Sequence, residues 1–172
     1  MIFSFGAIFY RDPIDSISDK HDLITLTNDM EKLQKSIGEI NAYGGGDGPE
    51  DWVGAYKMAT ESIGFRNGTR LIIHIADAPA HGKMFCGYDN YNDEETKLPP
   101  LIKKLVEKNI KIYAFSINET VNISFKKFHD LYNEYGGLMY IIKDFSKISQ
   151  IDILSNFKDL IVDAVTCAAP ID

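Results

Sequence analysis

Apolar residues fall along this chain in two rhythms. Ile2–Tyr10 is a short apolar run closed by Arg11-Asp-Pro13, the pattern of a strand and its exit turn. Asp22–Thr27 alternates and predicts a second short strand. Asn28 offers an N-cap with Glu31 as its capping-box partner. Met30, Leu33, Ile37 and Ile40 recur at helical spacing, so 29–42 is expected to be an amphipathic helix. After the run Gly44–Glu50, a further helix carries Val53, Tyr56, Ala59 and Ile63 on one stripe and stops at Gly64. Arg70–Ala76 contains Leu-Ile-Ile-His-Ile, apolar on both faces, as in a parallel strand covered by helices on both sides. Residues 77–97 read as a long polar loop, and Pro99-Pro100 as the opening of a helix marked by Leu101, Ile102, Leu105 and Val106. A strand at Ile110–Ile117, a helix over Ile123–Tyr135, a strand at Leu138–Ile142 and a helix over 148–166 bearing Ile151, Leu154, Leu160 and Ile161 complete the series. Strands alternating with helices predict an α/β fold, a doubly wound and mostly parallel sheet flanked by helices.

Length and composition fit that picture. The 172 residues suit one domain spanning 1–172, and 45% hydrophobic with 25% charged residues is globular usage. Eighteen basic against 25 acidic residues leave a net charge of −7, which argues against nucleic acid or an anionic membrane as partner. No stretch approaches the length of an apolar membrane span. The opening segment lacks a basic leader and a cleavage site. Cys86 and Cys167 are too few and too distant for a disulfide framework or a zinc cluster. Two thiols and no signal segment give a cytoplasmic expectation.

In open parallel sheets, ligands sit beyond the carboxyl ends of the strands. Two carboxylates stand in loops expected there. Asp77 ends the third strand, and Asp47 lies within Gly44-Gly-Gly-Asp-Gly-Pro-Glu50 just before a helix. Asp47 fits two roles: cap of that helix with Glu50 as capping-box partner, or ligand of a hard cation. The glycine run lacks the lysine and hydroxyl of a nucleotide loop. His74, inside an apolar strand, reads as a satisfied core histidine. His81 has no serine or cysteine nucleophile placed beside it, and Cys86 alone does not make an enzyme. Trp52, Tyr56, Phe128, Tyr132 and Tyr135 fit core stripes, and Asp89–Glu95 a solvated loop.

Three segments together carry a resemblance: Phe5-Gly-Ala-Ile-Phe-Tyr-Arg-Asp12, Gly44-Gly-Gly-Asp-Gly-Pro-Glu-Asp51 entering a helix, and Leu71-Ile-Ile-His-Ile-Ala-Asp-Ala-Pro-Ala-His-Gly82. With Tyr88-Asp-Asn-Tyr91 and Ile112–Asn118, they resemble the von Willebrand factor type A domain, in the branch found beside atypical alpha-kinases. The resemblance implies a non-enzymatic protein-interaction module in which Mg²⁺ or Mn²⁺ at a metal-ion-dependent adhesion site is completed by a partner's carboxylate. Asp47 and Asp77 would be ligands converging on the ion, with Asp12, Gly46, Glu50 and His81 beside it. The family's D-x-S-x-S loop is absent; Asp15-Ser-Ile-Ser18 follows the wrong strand. Two other roles stay open, a regulatory domain of an alpha-kinase or other enzyme and a structural domain without metal. The family's strand order 3-2-1-4-5-6 further implies that the first, central strand lies upstream of Met1. A slot would then remain between Ile2–Tyr10 and Arg70–Ala76. Its edges either pair with each other, are filled by another segment or chain, or stay apart.

Overall fold

A computed structural model of the chain describes residues 3–12, 21–42, 47–89, 92–148 and 150–169. Strand β1 (Phe5–Phe9) pairs antiparallel with β2 (Asp22–Thr27), Ala7 opposite Ile24 and Phe9 opposite Asp22, with a bulge between Phe5 and Ala7. At that bulge Gly6 lies so close to β2 that a Cβ would stand 2.6 Å from the Ile24 carbonyl oxygen. Helices α1 (Met30–Gly38) and α2 (Trp52–Glu61) follow, then β3 (Arg70–Ala76), a short α3 (Lys83–Cys86) and α4 (Asn92–Glu107). After β4 (Ile110–Ser116), a 3-10 turn leads into α5 (Asn122–Glu134), then β5 (Tyr140–Asp144) and α6 (Gln150–Ala168). Strands β3, β4 and β5 form a parallel sheet in that order, Ile72 level with Ile112 and Ile112 with Tyr140. The result is the expected mixed α/β architecture, a parallel sheet flanked by helices.

Strand β4 shows why a central parallel strand is apolar throughout. Ile112 and Ala114 face a core of Trp52, Tyr56, Leu98, Ile102, Phe125, Phe128 and Tyr132. Tyr113 and Phe115 face the opposite layer with Ala164, Leu160 and Ile161 of α6. Successive side chains alternate across the sheet, so burial on both faces demands a continuous apolar run. The Tyr113 hydroxyl reaches the rim of that layer and donates to Asp163. The aromatic residues expected in the core are there, with Tyr135 at its edge.

The sheet is not continuous. Strands β1 and β2 form a separate pair, and among the described residues no backbone hydrogen bond joins β1 to β3. Of the arrangements expected for the slot, direct pairing of its two edges is not the one adopted.

Several local expectations are corrected. Asp29, not Asn28, caps α1: its carboxylate accepts from the Lys32 amide at 2.9 Å while Thr27 Oγ1 accepts from the Asp29 amide. Asp51, not Asp47, caps α2, accepting from the Gly54 amide at 2.6 Å. Asp47 is thereby left out of the helix, and Glu50 instead joins Ala80 in a parallel bridge, its amide donating to the Pro79 carbonyl at 2.8 Å. Residues 77–97 are not one loop. They contain α3 and the first turns of α4, in whose interior Pro99 and Pro100 sit. Fully buried Leu98, Ile102 and Leu105 continue one stripe through the prolines, so packing holds a helix that two missing N–H donors would break. Met1, Ile2, Pro13, Asp15–Ser18, Gly44–Gly46, Tyr91 and the side chains of Ile151 and Leu154 lie outside the described residues.

The reassigned cap is checked by two substitutions. Asp51→Ala removes a helix cap and should lower unfolding free energy by about 1–2 kcal/mol in urea titrations. Asp47→Ala should stay within about 0.5 kcal/mol of the parent. Equal losses in the two variants would contradict the assignment.

Candidate functional site

The site begins with strand direction. The residues just after β1 and just after β3 meet: Asp12 lies 2.6 Å from His81 Nε2. The carboxyl ends of the two strands therefore lie at one end of the molecule. The bridge from Glu50 to Ala80 brings the segment before α2 to the same place, and Asp47 with it. One ligand atom each from Asp12, Asp47 and His81 all lie within 4.8 Å of one another. Asp12 and His81 are buried, each 3% exposed, while Asp47 stands at the exposed rim.

His81 is clamped from both sides. Asp89 Oδ2 faces Nδ1 at 2.7 Å and also accepts from the Gly82 amide at 2.9 Å. Asp12 Oδ2 faces Nε2 at 2.6 Å. With a carboxylate on each nitrogen, both must donate, and the ring reads as an imidazolium. Burial works against that charge, but the hydrogen bonds and charges of Asp89 and Asp12 outweigh it, so His81 sits above the ordinary histidine value. His74 is neutral for an equally local reason. His74 lies between the Tyr56 and Tyr10 hydroxyls, at 2.7 and 3.0 Å, and burial lowers it to about 3. His21 Nδ1 accepts from the Arg11 amide at 3.2 Å, which leaves Nε2–H to donate to Asp51 at 2.9 Å. His74 is thus the core histidine the sequence suggests. Among the described residues no serine or cysteine pairs with His81; Cys86 Sγ accepts from the Asp89 amide at 3.3 Å. Both cysteines are free thiols.

Acid crowds acid here. Asp47 is raised above the ordinary aspartate value, first by desolvation and then by the Asp12 and Asp89 carboxylates, against the opposing pull of His81. Glu94, on the first turns of α4, rises to about 7 through burial and the nearby Asp51 charge, and its Oε2 is buried without a hydrogen-bond partner. Two carboxyls that face each other are the arrangement a divalent cation relieves. Two carboxylates plus waters also match the usual donor set of Mg²⁺, which Mn²⁺ shares. The residues present fit such an ion.

The structure unites Asp47, Asp12 and His81, and Glu50 reaches their neighbourhood through its backbone bridge. Asp77 is outside the Asp12–Asp47–His81 cluster. It is exposed after β3, where its charge raises the Tyr10 hydroxyl together with burial and Glu50. Gly46 lies outside the described residues. Sequence reasoning missed Asp89, Glu94 and His21. The expected solvated loop 89–95 instead sends Asp89 inward to His81, buries one Glu94 oxygen, and turns Glu95 to accept from the Met84 amide at 2.5 Å. The short span from His81 to Asp89, closed by the αL residue Gly87, was the one available signal.

No family model matches the chain. Over 118 residues it is 34% identical to "Alpha-protein kinase vwkA" of Dictyostelium discoideum. The match takes in 66% of this chain and 19% of that relative, so the chain corresponds to a small part of the relative's length. The relative is named an alpha-protein kinase, and its name is in keeping with the resemblance drawn from the motifs. No described helix is long and apolar enough to cross a membrane.

The electrostatics fix a pH dependence. Glu94 is raised above its ordinary 4.5 to about 7, so its favourable contribution is complete below the lower value and is lost as pH rises through the higher one. His81, also raised, loses its contribution in the same direction above its ordinary 6.5. Asp51 is lowered, mainly because its bonds from His21 and Gly54 prevail over burial, and it acts only toward acid. The melting temperature should therefore fall between about pH 5 and pH 8, and Glu94→Gln should flatten the fall below about pH 7. An identical slope in Glu94→Gln would refute the role given to its burial.

Proposed function

We propose that the chain is a non-enzymatic protein-interaction module of the von Willebrand factor A type. A divalent cation, Mg²⁺ or Mn²⁺, is held at the carboxyl ends of β1 and β3 by Asp47 and Asp12, and a partner's acidic side chain completes its shell. The observation that carries this reading is the convergence of Asp12, Asp47 and His81 at the end of the molecule where α/β folds bind ligands. His81 holds the Asp12 carboxylate in place through Nε2, as outer partners of metal ligands do. Asp47, exposed at the rim, is the ligand a partner can approach. The ion supplies charge that makes a partner carboxylate welcome at an acidic surface, and the chain's residues supply position. The name of the Dictyostelium relative favours a second reading, in which this module serves a larger kinase polypeptide as a regulatory part.

The experiment is calorimetry with Mn²⁺ and Mg²⁺, followed by partner capture with and without chelator. Asp47→Ala and Asp12→Ala should each weaken Mn²⁺ binding about ten-fold or more, since ligand and supporting residues both matter on that scale. Asp77→Ala decides whether the neighbouring loop contributes: a loss equal to that of Asp47→Ala places Asp77 on the ion, and no change excludes it. Because the cation competes with protons for these carboxylates, affinity should rise with pH. Mn²⁺ affinity unchanged in Asp47→Ala would overturn the reading.

A further inference from the structure

The two ends of the parallel sheet carry opposite charge. Asp12, Asp47 and Asp89 gather at the carboxyl ends of the strands. Cations gather at the amino ends, where Arg70 opens β3 level with Ile110 of β4. Lys104 pairs with Glu61 at 2.7 Å, and Lys108 donates to the Thr60 carbonyl at 2.7 Å. Arg70 donates through Nη1 to the Lys108 carbonyl at 2.8 Å and through Nε to the Arg66 carbonyl at 3.1 Å. Glu61 is held below the ordinary glutamate value, first by the hydrogen bond from Lys104 and then, against desolvation, by the charges of Lys104, Lys57 and Lys108. Glu61, with Glu107 at the end of α4, does not neutralise this set, so the end stays positive in a chain of net charge −7.

An exposed loop crosses that end. Residues 64–69 lead from α2 into β3, and among the described residues they make no backbone-to-backbone hydrogen bond. Gly68 stands at a φ of +123°, a turn of the backbone that glycine permits. Thr69, just after it, is exposed, and its hydroxyl makes no hydrogen bond among the described residues. Arginines stand three positions before Thr69 and one after. Of the chain's three arginines, Arg66 alone has a hydroxyl side chain of Ser or Thr three positions on. Other hydroxyls are buried and committed: Thr60 donates to the Lys57 carbonyl, Ser116 to that of Asn118 and Ser124 to that of Phe85.

We propose that Thr69 is a phosphorylation site, read by a protein kinase with an acidic substrate groove, and that Arg66 and Arg70 then hold the phosphate. Guanidinium groups on both sides of the hydroxyl suit the carboxylates of such a groove. The step is phosphoryl transfer from ATP. A bond forms between Thr69 Oγ1 and the γ-phosphorus as the bond from that phosphorus to the β–γ bridging oxygen breaks. ADP leaves, and the hydroxyl proton passes to the kinase's catalytic carboxylate. The product carries a charge of about −1.5 to −2 and three strong acceptor oxygens. Arg66 makes no ion pair among the described residues, so its guanidinium is available for a bidentate pair with the phosphate. Arg70 already joins the Arg66 and Lys108 carbonyls, so a phosphate drawn to it ties the loop to the start of both β3 and β4. The site lies at the opposite end of the strands from the acidic cluster and does not rest on a bound cation.

The test uses the full chain, ATP and the catalytic subunit of an arginine-directed serine/threonine kinase, with sites mapped by mass spectrometry. Thr69 should take up phosphate in the folded chain about ten-fold or more faster than any other hydroxyl. Thr69→Ala should abolish that uptake, Thr69→Ser should retain it, and Arg66→Ala should slow it about ten-fold. The phosphorylated chain should melt a few degrees higher than the parent at low salt, and most of that gain should vanish in about 0.5 M sodium chloride, as screening requires. Thr69 left unmodified in the folded chain would overturn the proposal. So would a phosphorylated chain that melts no higher than the parent, because the arginines would then not hold the phosphate.

Discussion

Between β1 and β3 the backbone makes no ladder, so the relation of the two sheets rests on side chains. Two histidines reach across it. His74, on β3, meets Tyr10 just after β1 and Tyr56 on α2, and its ring also lies edge-on to Trp52 with centroids 4.4 Å apart. Near the strands' carboxyl ends, His81 grips Asp12. A backbone ladder spreads its constraint over many bonds, whereas here a few buried polar contacts hold the β1–β2 pair in place. Such networks stabilise when every member is satisfied and cost most when one is removed. Position of β1, geometry of the acidic cluster and width of the slot between the two strands are consequently one variable. Arg11 reinforces the arrangement: buried itself, it pairs with Asp22 at 2.7 Å and donates to the Asn41 carbonyl at 3.1 Å.

The parts of this fold that were legible in sequence are those where burial alone decides. Arg70–Ala76 and Ile110–Ile117 read as covered parallel strands because a residue on either face must be apolar, and the structure covers both faces of β4. His74 read as a core residue because apolar neighbours flank it. What hid from sequence are choices between near-equivalent groups. Asn28 and Asp29 both cap helices well, and Asp47 and Asp51 both precede α2; only the local backbone path decides which carboxylate meets a free amide. The prolines of α4 misled because proline chemistry marks a helix start, while buried Leu98 carries the helix across them. Asp89 was unreadable for another reason. An acid in a polar loop looks solvated until a folded partner, here His81, turns it inward.

The similarity to the Dictyostelium kinase bears on the same question of scale. The alignment covers 118 residues and only 19% of that relative's length, so what the rest of the relative does is no guide to this chain. Function has to be argued from the sites themselves, not from the fold. Two features stand apart physically, the acidic cluster at the strand ends and the groove between the facing edges of β1 and β3.

The two also illustrate how differently a fold can tolerate incompleteness. An unpaired strand edge is neutral, and water can satisfy its groups wherever they are reachable. Crowded carboxylates cannot be left to themselves in the same way, because each raises the cost of ionising the next. The chain's answer inside the cluster is a proton: the imidazolium of His81, placed between Asp12 and Asp89, offsets two negative charges with one positive charge that belongs to the fold. Asp47, at the rim, feels the same positive charge, but its desolvation and the Asp12 and Asp89 carboxylates prevail over it, and Glu94 meets its own burial by holding a proton toward neutral pH. A proton on His81 and the cation proposed beside Asp47 would be two means of meeting one electrostatic demand. The proton belongs to the fold itself, because the carboxylates on either side of the ring hold it there.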